Sequence, residues 1–313
     1  LDSVHHQVER STRPPRRRSI SRLRLRETAM GLLFVGPMLL GVIVFLLMPL
    51  IFSFTLSFSN WSFITGFDRI EFNGLDNYRN LLQDDVFLKS VVNNFVMLLA
   101  VPIGMAIALV LAIIINSRVY ASGAFKVIYF MPQISSVVAV AVVWQVLFHP
   151  SVGPVNAFLM NLGIEHPPRW LADTTFALPS VMMLMIWIDL GVALIIYIAG
   201  LKYIPADLYE AARIDGASTF VQFRSITLPL LTPTTFFLLI TGFIGNFKSF
   251  ALIKVLTEGG PAHSTSVIVY DMYQTAFVEL QTGYASSMVM VLFLILFAIT
   301  ALQWFGQKYW VKY

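Results

Sequence analysis

Glu210-Ala211-Ala212-Arg213-Ile214-Asp215-Gly216 stands between two long apolar stretches, and ten residues after its glycine comes Ile226-Thr227-Leu228-Pro229. The spacing predicts a short helix, a hinge and a second short helix. Pro205 can open the first helix, where a missing N–H has no bond to lose, and Gly216 can supply the left-handed residue that closes it. Ser218 is placed to cap the second helix, and Leu228-Pro229 marks the start of the next apolar run. A polar elbow of this kind, over residues 203–225, is compact enough to dock as a rigid knob.

The surroundings decide what sort of protein carries it. Hydrophobic residues fill 57% of 313 positions and charged ones 12%, a composition far from soluble domains and typical of chains that cross a membrane several times. Six apolar runs, near 31–58, 91–115, 125–148, 176–200, 226–247 and 284–305, approach or exceed the roughly 20 helical residues that a hydrocarbon core requires. None alternates as a barrel strand would, and helices satisfy their own backbone in lipid. The expected fold is therefore an all-α membrane protein. It divides into a basic N-terminal arm (1–30), a six-helix membrane domain (31–305) and a short tail (306–313). The chain opens on Leu1 rather than Met, so further chain is expected to precede it. The first run is too long for a signal-peptide core.

Loop charge sets the orientation. Eight of the 21 basic residues are arginines between Arg10 and Arg26. With that arm inside, the inner segments and Lys126 hold 15 Lys and Arg against six outside, while acidic residues run six inside to ten outside. Both termini and the elbow are thus expected in the cytoplasm. The arm reads as a lipid-facing topology signal rather than a nucleic-acid one. Cysteine is absent and the five histidines show no ligand spacing, so no metal site or thiol chemistry is expected.

Glu-Ala-Ala, a glycine four residues on, nine residues, then Ile-x-Leu-Pro resembles the cytoplasmic coupling loop of permease subunits of binding-protein-dependent ABC importers. Three outer segments resemble the carbohydrate-uptake branch of that family: Phe72-Asn73-Gly74-Leu75-Asp76-Asn77-Tyr78; Trp144 with Phe148-His149-Pro150, Gly153, Asn156 and Leu159; and Leu256-Thr257-Glu258-Gly259-Gly260-Pro261 with Tyr270, Tyr273 and Ala276-Phe277. The large outer domain of the maltose-type permease has no counterpart here.

The resemblance implies a type I importer permease in the bacterial inner membrane. It implies a second, homologous permease, two copies of an ABC ATPase, an extracytoplasmic solute-binding protein and a carbohydrate substrate, an oligosaccharide above all. Glu210, Ala211, Ala212, Asp215 and Gly216 would meet the ATPase, whose closure on ATP would move the elbows and turn the cavity outward. ATP would be held by that partner, since this chain has no Gly-x-x-x-x-Gly-Lys-(Ser/Thr) loop and needs no cofactor of its own.

For the substrate pathway the expected residues are Trp187 and Asp189 in the run 176–200, and Asn246, Lys248 and Ser249 at the outer end of 226–247. By position, Met185, Ile188, Val192 and Ile244 also match sugar-contacting positions of relatives, but with apolar types. An ionisable group inside a membrane helix is costly unless it meets water or a partner. Asp189 therefore either faces the pathway, pairs with Lys248, or bonds to a neighbouring helix as a neutral acid. Lys248 either snorkels to headgroups or, facing the pathway, favours an anionic sugar. Trp144, Tyr197 and Tyr203 read as packing and interfacial anchors, and Gly191 and Gly200 as points of close helix approach. Asn93, Asn94 and Gln145 are able either to bond across helices or to line a pore. Two rivals stay open: an ABC permease for a phosphate ester or peptide, and an ion-driven secondary transporter.

Overall fold

The computed structural model describes residues 22–116 and 122–311. The arginines between Arg10 and Arg18, Arg118 and the last two residues lie outside the described residues. The chain separates into two compact units, residues 1–52 and 53–313.

In the first unit α1 (Arg22–Val42) passes through a turn of π-helix, Ile43–Leu47, into α2 (Met48–Leu56). The cause of that turn is Pro49, which has no N–H to return to the preceding turn. One residue earlier the Met48 N–H bonds instead to Ile43 O, five residues back. Residues Ala29–Leu56 make one continuous apolar span.

The second unit begins with a two-stranded ribbon, β1 (Ser59–Asn60) against β2 (Glu71–Phe72). Short α3 (Asp76–Leu81) follows Gly74, whose φ of 63° needs a residue without a Cβ. Helices α4 (Asp85–Met97) and α5 (Ala100–Asn116) form one span. Next come α6 (Ser122–Ile134), α7 (Val137–Leu147), α8 (Pro154–Asn161) and the long span α9 (Ala177–Tyr203). The elbow comprises α10 (Ala206–Ile214) and α11 (Thr219–Gln222), continued by a second π turn into α12 (Leu228–Leu230). The remaining helices are α13 (Thr232–Phe247), α14 (Phe250–Leu256), α15 (Ile268–Tyr273) and α16 (Thr282–Trp310).

Four helices among the described residues are long and apolar enough to cross a membrane, and six spans result if two bent pairs each count as one. Those pairs depart from the uniform runs expected from sequence. Residues 123–134 and 137–147 meet at 98°, and 219–230 meets 232–247 at 60°. Pro132 lies inside α6, and Ser136 takes an extended conformation that starts α7 afresh. In the second pair Leu231, at φ −87° and ψ −3°, stands as a single turn residue between the two helices, with Pro233 in the first turn of α13. The elbow's second helix is consequently not separate from the membrane run but is its first leg.

The core of this unit joins α5, α9 and α13 around Ala108, Leu194, Tyr197, Leu231 and Leu238. Two glycines let α9 approach its neighbours: a Cβ on Gly191 would collide with the Tyr129 carbonyl of α6, and one on Gly200 would lie 2.8 Å from Thr234 Oγ1 of α13. Tyr197, 1% exposed, donates to Thr235 Oγ1.

Away from the elbow the loops are held by amides. Asn93 Nδ2 donates to the carbonyls of His263 and Ser266, and Asn94 Oδ1 accepts from Ile268 N–H at 2.8 Å. Gln145 Nε2 reaches Val255 O and Leu256 O. Asn156 bonds to Pro150 O and Pro168 O while its own oxygen accepts from Trp170. The question left by the sequence for Asn93, Asn94 and Gln145 is answered in favour of bonds across elements.

Candidate functional site: the elbow and the membrane cavity

The elbow is a bonded unit. Ala217 N–H donates to Ala212 O at 2.8 Å and Gly216 N–H to Arg213 O at 3.1 Å, with Gly216 at φ 79°. This pair of bonds consumes the last carbonyls of α10 and requires the left-handed glycine. Ser218 Oγ accepts from Val221 N–H, and Gln222 Nε2 donates back to Ala217 O. Pro205 is the residue just before α10 rather than its first member. Two anchors tie the elbow down: Ile204 is buried in the α5–α9–α13 core, and Tyr209 Oη pairs with Thr227 Oγ1 at 2.9 Å.

What the elbow presents is uncovered. Glu210, Ala211, Asp215 and Gly216 are exposed and Ala212 is half-buried. Around them Ile214 is 87% exposed and Phe220 68%. Leu208 and Val221 are exposed as well. An apolar cluster of this kind on a polar loop is the mark of a surface that another protein covers.

A cavity of about 200 Å³ lies between α5, α9 and α13. Asp189 and Asn246 line it, as do Met185 and Val192; Trp187, Lys248 and Ser249 do not. Asn246 is buried, its Nδ2 donating to Met97 O at 2.9 Å and its Oδ1 without a partner among the described residues. No hydrogen bond or ion pair engages the Asp189 side chain among the described residues. The pairing with Lys248 weighed above is not formed: Arg79–Asp76 is the one salt bridge among the described residues. Lys248 follows the last residue of α13 and is exposed; Ser249 Oγ turns back to Asn246 O. Trp187 packs edge-on against Trp144 at 5.5 Å.

The cavity also takes Gln133, Thr241, Gly242 and Gly245, which sequence reasoning passed over. Single polar residues among small ones carry no pattern; only the small residues clustered toward the end of α13 hinted at a close approach. Gly242 makes that approach, since a Cβ there would lie 2.6 Å from Val101. The result is an apolar hollow with a carboxylate, two amides and a hydroxyl on its walls, suited to weak hydrogen bonding and without any arrangement for bond-breaking chemistry.

Comparisons with known proteins agree with this geometry. Residues 100–311 match the family of binding-protein-dependent transport system inner membrane components. The chain is 34% identical over 288 residues to the probable ABC transporter permease protein YesP of Bacillus subtilis, covering 90% of this chain and 92% of that one. It is 32% identical over 284 residues to the lactose transport system permease protein LacF of Rhizobium radiobacter, covering 89% and 94%. Its fold superposes with a TM-score of 0.80 on a chain of a bacterial ABC transporter involved in the import of the acidic polysaccharide alginate, at 24% identity, covering 93% of this chain and all of that one. An ion-driven secondary transporter is thereby excluded. The chain belongs to the family of binding-protein-dependent transport system inner membrane components, the membrane-spanning permease subunits of ABC importers.

Proposed function

We propose that this permease is one half of the membrane channel of an ATP-driven carbohydrate importer. A second, homologous permease forms the other half. Two ATPase copies bind beneath, and an extracytoplasmic binding protein delivers the sugar. The elbow lies on the cytoplasmic side with both termini, in keeping with the excess of Lys and Arg in the segments on that side.

The observation that carries this reading is the elbow's combination of closed internal bonding and open apolar surface, with Ile214 and Phe220 bare beside Glu210. A knob braced by Ile204 and Tyr209 transmits a push to α9 and α13, the two helices that wall the cavity. Closure of the ATPases on ATP drives the elbows together and opens the cavity outward; hydrolysis resets it. The chain performs no chemistry itself.

For the solute, the kinship with a lactose permease supports a saccharide. Within the cavity the ionisable group is Asp189, while Lys248 stands off its walls. The walls offer no Lys or Arg to pair with a sugar acid, which favours a neutral oligosaccharide over an anionic one. The test is uptake into proteoliposomes holding the whole transporter. Glu210→Lys or Gly216→Asp should abolish uptake while ATP hydrolysis and membrane insertion persist; normal uptake in both variants would overturn the coupling assignment. Competition by neutral but not uronate oligosaccharides should follow, and the reverse order would overturn the choice of solute.

A further inference from the structure

The segment Phe72–Tyr78 is not used by the elbow or the membrane cavity, yet it walls the larger hollow of the two. Beside the ribbon, α3 and the start of α16 lies a polar cleft of about 380 Å³. It sits on the face opposite the elbow when the bent pairs count as spans, because a single span, residues 219–247, separates the elbow from the α14–α15 loops that lead to Thr282.

The frame of this cleft is fixed. Asn77, buried at its base, donates to the carbonyls of Ser57 and Ser59, and its oxygen accepts from Asn73 Nδ2 at 3.0 Å. Gly283 N–H bonds to Trp61 O at 2.8 Å, and a Cβ at Gly283 would lie 2.1 Å from Ser59 O. Trp61 Nε1 is spent on Gly66 O and Tyr284 Oη on Asp84 Oδ2. Ribbon and helix are thus locked together without reference to anything in the cleft.

The groups that remain open are of one kind. Asn60, Asn80 and Gln281 are exposed, and their side chains make no hydrogen bond among the described residues. Asn73 lines the wall with its Nδ2 turned to Asn77 Oδ1. Asp76 gives one oxygen to Arg79 and keeps the other. Each amide offers a carbonyl acceptor beside two N–H donors, which matches a pair of adjacent hydroxyls that donate and accept in turn. Charge does not build up here, because the one carboxylate on the walls is already paired with Arg79. Among the described residues no group of three His, Asp or Glu is placed to hold a metal ion. The volume lies in the range of small-molecule pockets and admits a hexose ring.

We propose that this cleft is a second saccharide site, outside the membrane, which holds one hexose unit of a neutral sugar through Asn60, Asn80 and Gln281. The choice of sugar rests on the carbohydrate reading above; the existence of the site does not, and binding and uptake are read separately.

The test uses the complete transporter in lipid nanodiscs, since glucoside and maltoside detergents carry competing sugars. Saturation-transfer NMR is run with glucose, galactose, N-acetylglucosamine and galacturonate. At least one neutral sugar should bind, and Asn80→Ala with Gln281→Ala should weaken it about tenfold, as expected for two hydrogen bonds lost. Both side chains are exposed and unbonded, so the fold should tolerate the change. The natural chain has no cysteine, so Asn80→Cys in this subunit can be alkylated as its one thiol, and the bound neutral sugar should protect it. No signal from any neutral sugar, unaltered binding in the double variant, or alkylation indifferent to sugar would each overturn the site. Uptake of neutral oligosaccharide without cleft binding removes this inference alone; cleft binding without saccharide uptake removes the transport reading and leaves the cleft.

Discussion

The two faces of this permease are built on opposite plans. At the elbow the bonds that close the turn are local: Ala217 to Ala212, Gly216 to Arg213, Gln222 to Ala217. At the far face the bonds reach across the chain, Asn93 to Ser266 and Asn94 to Ile268, and the side chains that make them are buried. The elbow leaves Ile214 and Phe220 in the open, whereas the far loops bury Val267 and Ile268 completely. Local bonding makes a part that moves as one piece and is finished by a partner. Long-range bonding makes a part that keeps its shape alone.

The contrast is broken most severely at the elbow. Ile214→Asp with Phe220→Asp should leave thermal stability and insertion largely unchanged, because both side chains are mostly exposed, yet cut ATP-driven uptake about a hundredfold or more. That loss corresponds to about 3 kcal/mol of docking energy, ordinary for two apolar side chains at an interface centre. Melting curves and uptake measured on the same preparation check it. A fall in Tm equal to that of a core variant would mean the elbow is packed into the chain and not presented to a partner.

At the far face the expected order reverses, with stability affected first. Asn94→Leu leaves the buried Ile268 N–H without its acceptor, a loss of roughly 1–3 kcal/mol. The Tm should drop by several degrees, with uptake per folded molecule largely kept. Asn156→Ala should act similarly on the 149–175 loop, since one side chain holds Pro150, Pro168 and Trp170 together. Tryptophan fluorescence during heating reads both.

This difference also explains what the sequence made legible. Elbow geometry is written locally, in Gly216 and Ser218 at fixed offsets, so its caps could be read before any fold was known. The apolar runs were equally plain, because hydropathy sums over many residues. Their bends were not: Pro132 leaves the hydropathy of 125–148 unchanged while breaking its helix. Partners such as Ile268 for Asn94 are 174 residues distant, and one sequence carries no mark of that pairing. The cavity was half visible. Asp189 and Asn246 stand out as polar residues in apolar surroundings, but Gln133 and Thr241 join them through a bend and a glycine contact that only the fold supplies.

The smallest effect expected concerns Asp271, in the far loops outside the spans. Burial, with Asp84 and Glu279 adding repulsion, pushes its carboxyl up to about 7, and its Oδ2 has no partner among the described residues. In the unfolded chain the same group titrates near the ordinary 3.8. Between those values the folded protein binds a proton that the unfolded one releases, so stability falls as pH rises from about 4 to about 7 and levels off above. The direction is opposite to that of a salt-bridged carboxylate, which stabilises on the alkaline side. Asp271→Asn keeps the shape without the charge and should flatten the dependence, raising Tm at pH 8 by a few degrees and leaving it unchanged at pH 4. The far face would then be a structure under mild electrostatic tension at neutral pH, held by its amides. A variant as pH-dependent as the parent would assign that tension to another group.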